Sequence, residues 1–340
     1  MDADGAVVLQ EALPGPEHAW LDGDGGRHLP ELVISLVQRS APARPVPQLR
    51  PAAGGVPRHE RLRPPGSDWL FAKLYGPPSA QDELIAGPVR TLGELATAAG
   101  LARHWFYVRY ADPGPHLRLR FSGDPDTLLG ELLPQLCDWA RELLDDGRCD
   151  RLGFDTYERE IERYGGTAAM AVVEEIFAID SAAAVELVGL RHHGRIGLDQ
   201  TELAVLSMDV LLDSLALGEA ERLALYRRAV LSRHESGTEY RKRRRELRAL
   251  LSTGAPGDRD PGGAVAGVLG ARTAALREPV RRITDLGAGG HLGRAWPEIC
   301  ESLLHMHCNR VLGRGAPAEA HVLGLALRTR EGLDRAPRPR

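Results

Sequence analysis

Residues 104–121 read HWFYVRYADPGPHLRLRF. Two runs alternate apolar and polar side chains, and ADPGP between them gathers the residue types that reverse a chain. The pattern is that of an antiparallel β-hairpin, the strongest local signal in the sequence. Upstream, DWLFAKLYG (68–76) alternates as a further strand. AQDELIAGPVRTLGELATAAG (80–100) has apolar residues near helical spacing, with Asp82 and Glu83 in its first turn, where they suit the helix dipole. Downstream, DPDTLLGELLPQLCDWARELLDDG (124–147) reads as a helix capped by Asp126 or Thr127. RLGFDTYEREIERYGG (151–166) reads as extended chain ending in a Gly-Gly break.

After residue 166 the pattern becomes helical. Helices are expected at about 168–178, 181–190, 200–215, 219–233, 237–252, 263–286 and 297–312, with a short one inside EAHVLGLALRTREG (319–332). The expected fold class is α+β: a small, mostly antiparallel sheet in the N-terminal half, packed with a helical C-terminal half. Residues 1–66 read as an extension and a Pro/Gly/Arg-rich linker, 67–320 as the main domain, and 321–340 as a helix end and tail.

The 340 residues are 43% apolar, enough for a sizeable core. A net charge of −4 argues against a dedicated nucleic-acid binder, and no direct DNA contact is expected. No apolar run is long enough for a membrane helix, and the acidic N-terminus lacks signal-peptide features. A cytoplasmic location is expected. Cys137, Cys149, Cys300 and Cys308 are scattered, so neither a zinc knuckle nor a disulfide framework is indicated.

Three stretches carry chemistry. In HLRLRF (116–121), strand alternation puts Arg118 and Arg120 on one face. Paired guanidiniums suit a bound anion, although the same spacing serves a solvated hairpin face. Arg109, in YVRY, is expected on the partner strand. In YEREIERYGG (157–166), Tyr157, Glu160 and Arg163 precede Gly165 and Gly166, whose freedom at positive φ permits close approach of a ligand, or simply a turn beside surface ion pairs. In SLLHMHCNRVLG (302–313), Glu301, His305 and Asn309 form one helical stripe. His305 suits proton transfer or a structural role. His305 and His307 are two apart and diverge on a helix, so a metal pair is not expected. His192-His193 has its acidic residue at the wrong distance for a condensation motif. The basic run YRKRRRELRAL (240–250) reads as the solvated face of a helix rather than an RNA site.

Taken in order, SDWLFAKLYGPPSAQDELI, WFYVRYADPGPHLRLRF, YEREIERYGG and SLLHMHCNR resemble the C-terminal glutamate-elimination domain of lantibiotic dehydratases, over about residues 67–315. HAWLDGDGGRHLPELVISL (18–36) looks like the tail of the glutamylation domain that precedes it in fused enzymes. The resemblance implies the elimination half of a split thiopeptide or lantibiotic dehydratase. It implies a glutamylated precursor peptide as substrate, a glutamyl-tRNA-dependent glutamylating partner protein, and no metal or cofactor. The products are dehydroalanine or dehydrobutyrine. By the same resemblance Arg118 and Arg120 clamp the glutamyl group, Glu160 and Arg163 assist, and His305 transfers a proton with Asn309 orienting it. Arg109, Tyr157, Gly165 and Gly166 are the expected substrate-binding residues. His307 is expected to be incidental. A homo- or hetero-oligomer is an expectation of the same kind, a heteromeric contact running through residues 1–66. Two alternatives accompany this reading: a thiopeptide pyridine synthase, which joins two dehydroalanines and releases the leader, and a non-catalytic peptide-binding scaffold.

Overall fold

The computed structural model describes residues 56–229, 235–253, 256–260, 262–313 and 316–334, together with the short antiparallel pair β1 (Leu21–Gly23) and β2 (Gly26–His28). That pair lies in a unit of its own, residues 1–48. Of the expected N-terminal extension, residues 1–20, 24–25 and 29–55 fall outside the described residues.

In the main unit, α1 (Arg58–Arg61) leads into β3 (Leu62–Arg63). β4 (Trp69–Tyr75) follows, then α2 (Gln81–Leu84), which passes through a π-turn into α3 (Arg90–Ala98). The hairpin strands are β5 (His104–Tyr110) and β6 (His116–Ser122). α4 (Pro125–Thr127) and α5 (Leu133–Asp145) precede β7 (Arg151–Phe154) and β8 (Tyr157–Glu158). Then come α6 (Thr167–His192), α7 (Gln200–Ser214), α8 (Glu219–Ala229), α9 (Glu235–Thr253), α10 (Ala264–Ala288), α11 (Trp296–Leu312) and α12 (Ala316–Asp334). The α+β expectation holds: a four-stranded antiparallel sheet in the order β5-β6-β4-β7 precedes an all-helical half.

The hairpin forms where its alternation put it, with His104 opposite Ser122 and Tyr110 opposite His116. α6 and α11 pack on β5, the edge strand. Phe106 meets Phe177 of α6 and Trp69 of β4, at ring-centroid distances of 5.2 and 5.6 Å. α3 approaches β5 so closely that a Cβ on Gly93 would fall 2.0 Å from the Trp105 indole. Among the described residues no helix is long and apolar enough to cross a membrane.

Four details differ from the sequence reading. The cap before α4 is Asp124, whose carboxylate accepts from the Thr127 amide, because Pro125 takes the first helical position. Residues 56–66, read as linker, belong to the fold: β3 pairs with β8, and Arg61 forms an ion pair with Glu162. The segments 168–178 and 181–190 are one helix of 26 residues, α6. Asp180 and Ser181, at the expected break, are both buried mid-helix, and Asp180 serves as an anchor, described below. The short helix expected at 319–332 is the 19-residue α12. Residues 230–233, expected to end α8, lie outside the described residues.

Candidate active site

The pleat of β6 turns Arg118 and Arg120 to the same side of the sheet. Register then chooses their neighbours. Arg120 lies between Phe71 on β4 and Phe106 on β5, and Arg118 between Lys73 and Val108. The Arg120 guanidinium stands 4.5 Å from the Phe71 ring, 4.5 Å from Tyr157 and 5.3 Å from Phe106, in cation–π range of all three. It is buried, and burial pushes its pKa down to about 10, which leaves it cationic at neutral pH. Its Nε has no hydrogen-bond partner. Among the described residues no carboxylate lies within ion-pair distance of either arginine. Two cations without a counter-anion among the described residues thus sit in an aromatic enclosure.

Arg118 is held differently. Its guanidinium stacks 3.3 Å above Tyr110, and its Nε donates to Nε2 of His116 at 3.1 Å. The other ring nitrogen, Nδ1, donates to the Gly114 carbonyl at 2.7 Å, so the imidazole is neutral. Burial is the main reason its pKa falls; the Gly114 hydrogen bond opposes the fall, and Arg118, Lys73 and Arg151 add to it. His116 therefore fixes Arg118 and leaves the terminal nitrogens available.

The opposite wall comes from the segment after β8 and from α11. Arg163 donates to Glu160 at 2.8 Å and to Ser302 at 3.3 Å. His305, about half exposed, has Nδ1 2.7 Å from a carboxylate oxygen of Glu319 on α12. Arg118, Arg120, Tyr157, Glu160, Arg163, His305 and Asn309 all line one cavity of about 320 Å³, with Phe106, Val108 and Phe177 among its apolar walls. The volume suits a small ligand of amino-acid size rather than a large cofactor. Tyr157 is a buried wall, and burial, then the neighbouring Glu174 carboxylate, pushes its pKa well above 10.

Other expected residues stand elsewhere. Arg109 lies opposite Leu117, one residue out of step with the pair, so its side chain leaves the other side of the sheet. There it forms an ion pair with Asp82 at 2.6 Å and donates to the Arg310 carbonyl at 3.0 Å; it does not line the cavity. Asn309 borders the cavity, but its amide exchanges two 2.9 Å hydrogen bonds with the Arg109 backbone rather than orienting His305. The amides of Gly165 and Gly166 bond back to Glu162 and Ile161. Their φ angles of 90° and 108° make a turn against α11, where a Cβ on Gly165 would lie 2.8 Å from Ile299. They pack helices and do not reach the cavity.

His307, expected to be incidental, is the centre of a buried network. Its Nδ1 meets Asp180 at 2.8 Å and its Nε2 meets Ser207 at 2.9 Å. Asp180 also takes Arg272 at 3.1 Å and Arg310 at 2.9 Å. Burial alone raises the Asp180 carboxyl, but His307, Arg310 and Arg272 hold it well below the usual carboxylate range. Arg310 in turn donates to the Tyr107 carbonyl at 3.0 Å. One carboxylate thereby ties α6, α10 and α11 together, and through Arg310 it ties them to β5. Sequence reading missed this carboxylate and missed Glu319. Periodicity carried no signal for Glu319, 14 residues beyond His305 on a different helix.

The family model for the C-terminal part of lantibiotic biosynthesis dehydratases matches residues 69–329. The chain belongs to the lantibiotic dehydratase C-terminal family. It is 30% identical over 317 residues to the subtilin biosynthesis protein SpaB of Bacillus subtilis, a match covering 90% of this chain and 30% of SpaB. The chain thus spans about a third or less of the curated relatives it matches. The tRNA-dependent lantibiotic dehydratase MibB from Microbispora sp. 107891 is similar in structure, with a TM-score of 0.70 and 28% identity over 79% of this chain and 28% of MibB. The thiomuracin pyridine synthase TbtD shares the fold, with a TM-score of 0.57 and 16% identity over 78% of this chain and 99% of TbtD.

Proposed function

We propose that this lantibiotic dehydratase domain eliminates glutamate from glutamylated Ser or Thr of a ribosomal precursor peptide, leaving dehydroalanine or dehydrobutyrine. One observation carries the reading. Arg118 and Arg120 have no protein counter-anion among the described residues, and they share a cavity with a carboxylate-held histidine, His305. A γ-glutamyl ester supplies the missing anion as its α-carboxylate and yields a second when it leaves.

The chemistry removes a proton from Cα and breaks the Cβ–O bond, so that the bonding pair leaves on the glutamate carboxylate and a Cα=Cβ double bond remains. Each change needs a group. His305 carries the proton; the 2.7 Å contact with Glu319 fixes Nδ1 as the bound nitrogen and leaves Nε2 to act. Arg118 and Arg120 bind carboxylate through charge-assisted hydrogen bonds, strengthened by the low-dielectric aromatic walls. Glu160 meets the glutamyl ammonium and steadies Arg163. Esterification upstream, by a glutamyl-tRNA-dependent partner activity, turns a poor hydroxyl leaving group into a carboxylate. The description of MibB as tRNA-dependent supports that supply.

The test is mass spectrometry of a synthetic peptide bearing one γ-glutamyl serine ester, incubated with the protein alone. Loss of glutamic acid with formation of a thiol-trappable dehydroalanine is expected. An intact ester, with macrocyclisation of a peptide bearing two dehydroalanines, moves the assignment to pyridine synthase. Inertness toward both substrates favours a peptide-binding scaffold.

A further inference from the structure

A second cavity, of about 410 Å³, adjoins the first. Arg163 and His305 line both, and so form the partition between them. Arg163 reaches to each side, donating to Glu160 in the first cavity and to Ser302 in the second. Glu319, which grips Nδ1 of His305, belongs to the second.

The two cavities differ in what they satisfy internally. Among the described residues, the first leaves two arginines with no carboxylate in ion-pair distance. In the second, each rim carboxylate already has a partner: Glu319 has His305, Glu298 has Arg294 at 3.2 Å, and Glu301 has Arg228 at 3.4 Å. Its floor is aliphatic, made by Leu225, Leu304 and Leu323 with Ala320 beside them. A rim whose carboxylates are already partnered, over an aliphatic floor, does not select an ion. It suits an uncharged peptide segment with an aliphatic side chain.

We infer that the second cavity is the subsite for the precursor-peptide residue next to the one being modified, and that it selects an aliphatic side chain there. This inference rests on the elimination reading. In a glutamylated residue, Cβ leads to the ester while Cα carries the peptide chain. A group that transfers the Cα proton therefore stands between the two. With the glutamyl end in the cationic cavity, the peptide end enters the cavity across His305. An acidic neighbour would bring an unpaired charge over the aliphatic floor, at a desolvation cost.

The experiment measures kcat/KM for glutamyl-serine ester peptides carrying Leu, Gly or Asp at the position before or after the ester. The wild-type protein is expected to favour Leu over Asp at least tenfold at one of the two positions, as an apolar pocket discriminates. Ala320→Trp, which fills the cavity, is expected to bring the Leu/Gly ratio close to one. Leu323→Ala, which enlarges it, is expected to shift preference from Leu toward Phe, and so reports on the pocket even if the tryptophan variant folds poorly. Absence of any Leu preference in wild type, or ratios unchanged in both variants, overturns the subsite while elimination stands. Failure to turn over any ester removes the elimination reading, and the subsite falls with it.

Discussion

Replacing Arg120 with methionine separates a ligand-binding arginine from a structural one. Methionine keeps much of the volume and removes the charge. Burial lowers the Arg120 pKa from an ordinary value near 12.5 to about 10, which corresponds to about 3 kcal/mol against the cation. Stacking on Phe71, Tyr157 and Phe106 returns about 1–2 kcal/mol of that. With no acidic partner among the described residues to strand, Arg120→Met is expected to stabilise the fold by roughly 1–2 kcal/mol, in contrast to the usual loss on breaking a buried ion pair. Activity should move the other way. Losing a desolvated charge-assisted contact costs about 2–5 kcal/mol of substrate interaction, or about 30- to 4000-fold in kcat/KM. The assay pairs thermal unfolding with turnover of the glutamyl ester. A second reading adds glutamate, which should raise the melting temperature of wild type and leave that of the variant unchanged. An inactive variant that is also less stable would show Arg120 to be a structural residue, and an active one would remove it from substrate recognition; either result refutes the reasoning.

Asp180→Asn is expected to cost about 3–5 kcal/mol in denaturant unfolding, because Arg272 and Arg310 lose their shared buried anion. The Asp180 pKa is depressed in the folded state, so its contribution is complete above the ordinary carboxylate pKa of about 4 and is lost as pH falls below it. An acid-unfolding curve of the Asn variant should lack that loss. Glu319→Gln should lower kcat for the ester roughly 10- to 100-fold with little change in KM, since it loosens a proton carrier without touching the arginine pair. Gly93→Ala, a change that favours most helices, should instead destabilise by about 1–3 kcal/mol in thermal unfolding, because the new methyl collides with Trp105.

The hairpin was legible because strand alternation and a turn cluster occur together there, and the same alternation placed Arg118 and Arg120 on one face. The aromatic enclosure was not legible. It depends on Phe71 and Phe106 falling in register with Arg120, and a single strand does not specify which residue its neighbours place opposite. Arg109 was misjudged for the same reason, since one step of register moves a side chain to the other side of the sheet. The sequence reading divided α6 near Asp180, which the structure places mid-helix. Local pattern does not distinguish a capping aspartate from a buried one whose cations lie about 90 and 130 residues away. Glu319 reaches His305 only through the packing of α12 on α11.

The reciprocal hydrogen bonds between Asn309 and the Arg109 backbone span 200 residues of sequence. Loop closure over such a distance is entropically costly and is recovered only when β5 and α11 dock together. The arginines and the histidine therefore come within one cavity late in folding, after the intervening helices have formed. A nascent chain lacking α11 has the arginine hairpin and lacks His305, the proposed proton carrier. If the proposed elimination holds, release of glutamate from an ester reads out complete folding, and pulse-proteolysis of refolding chains should show activity returning in step with protection of α11 rather than of the sheet.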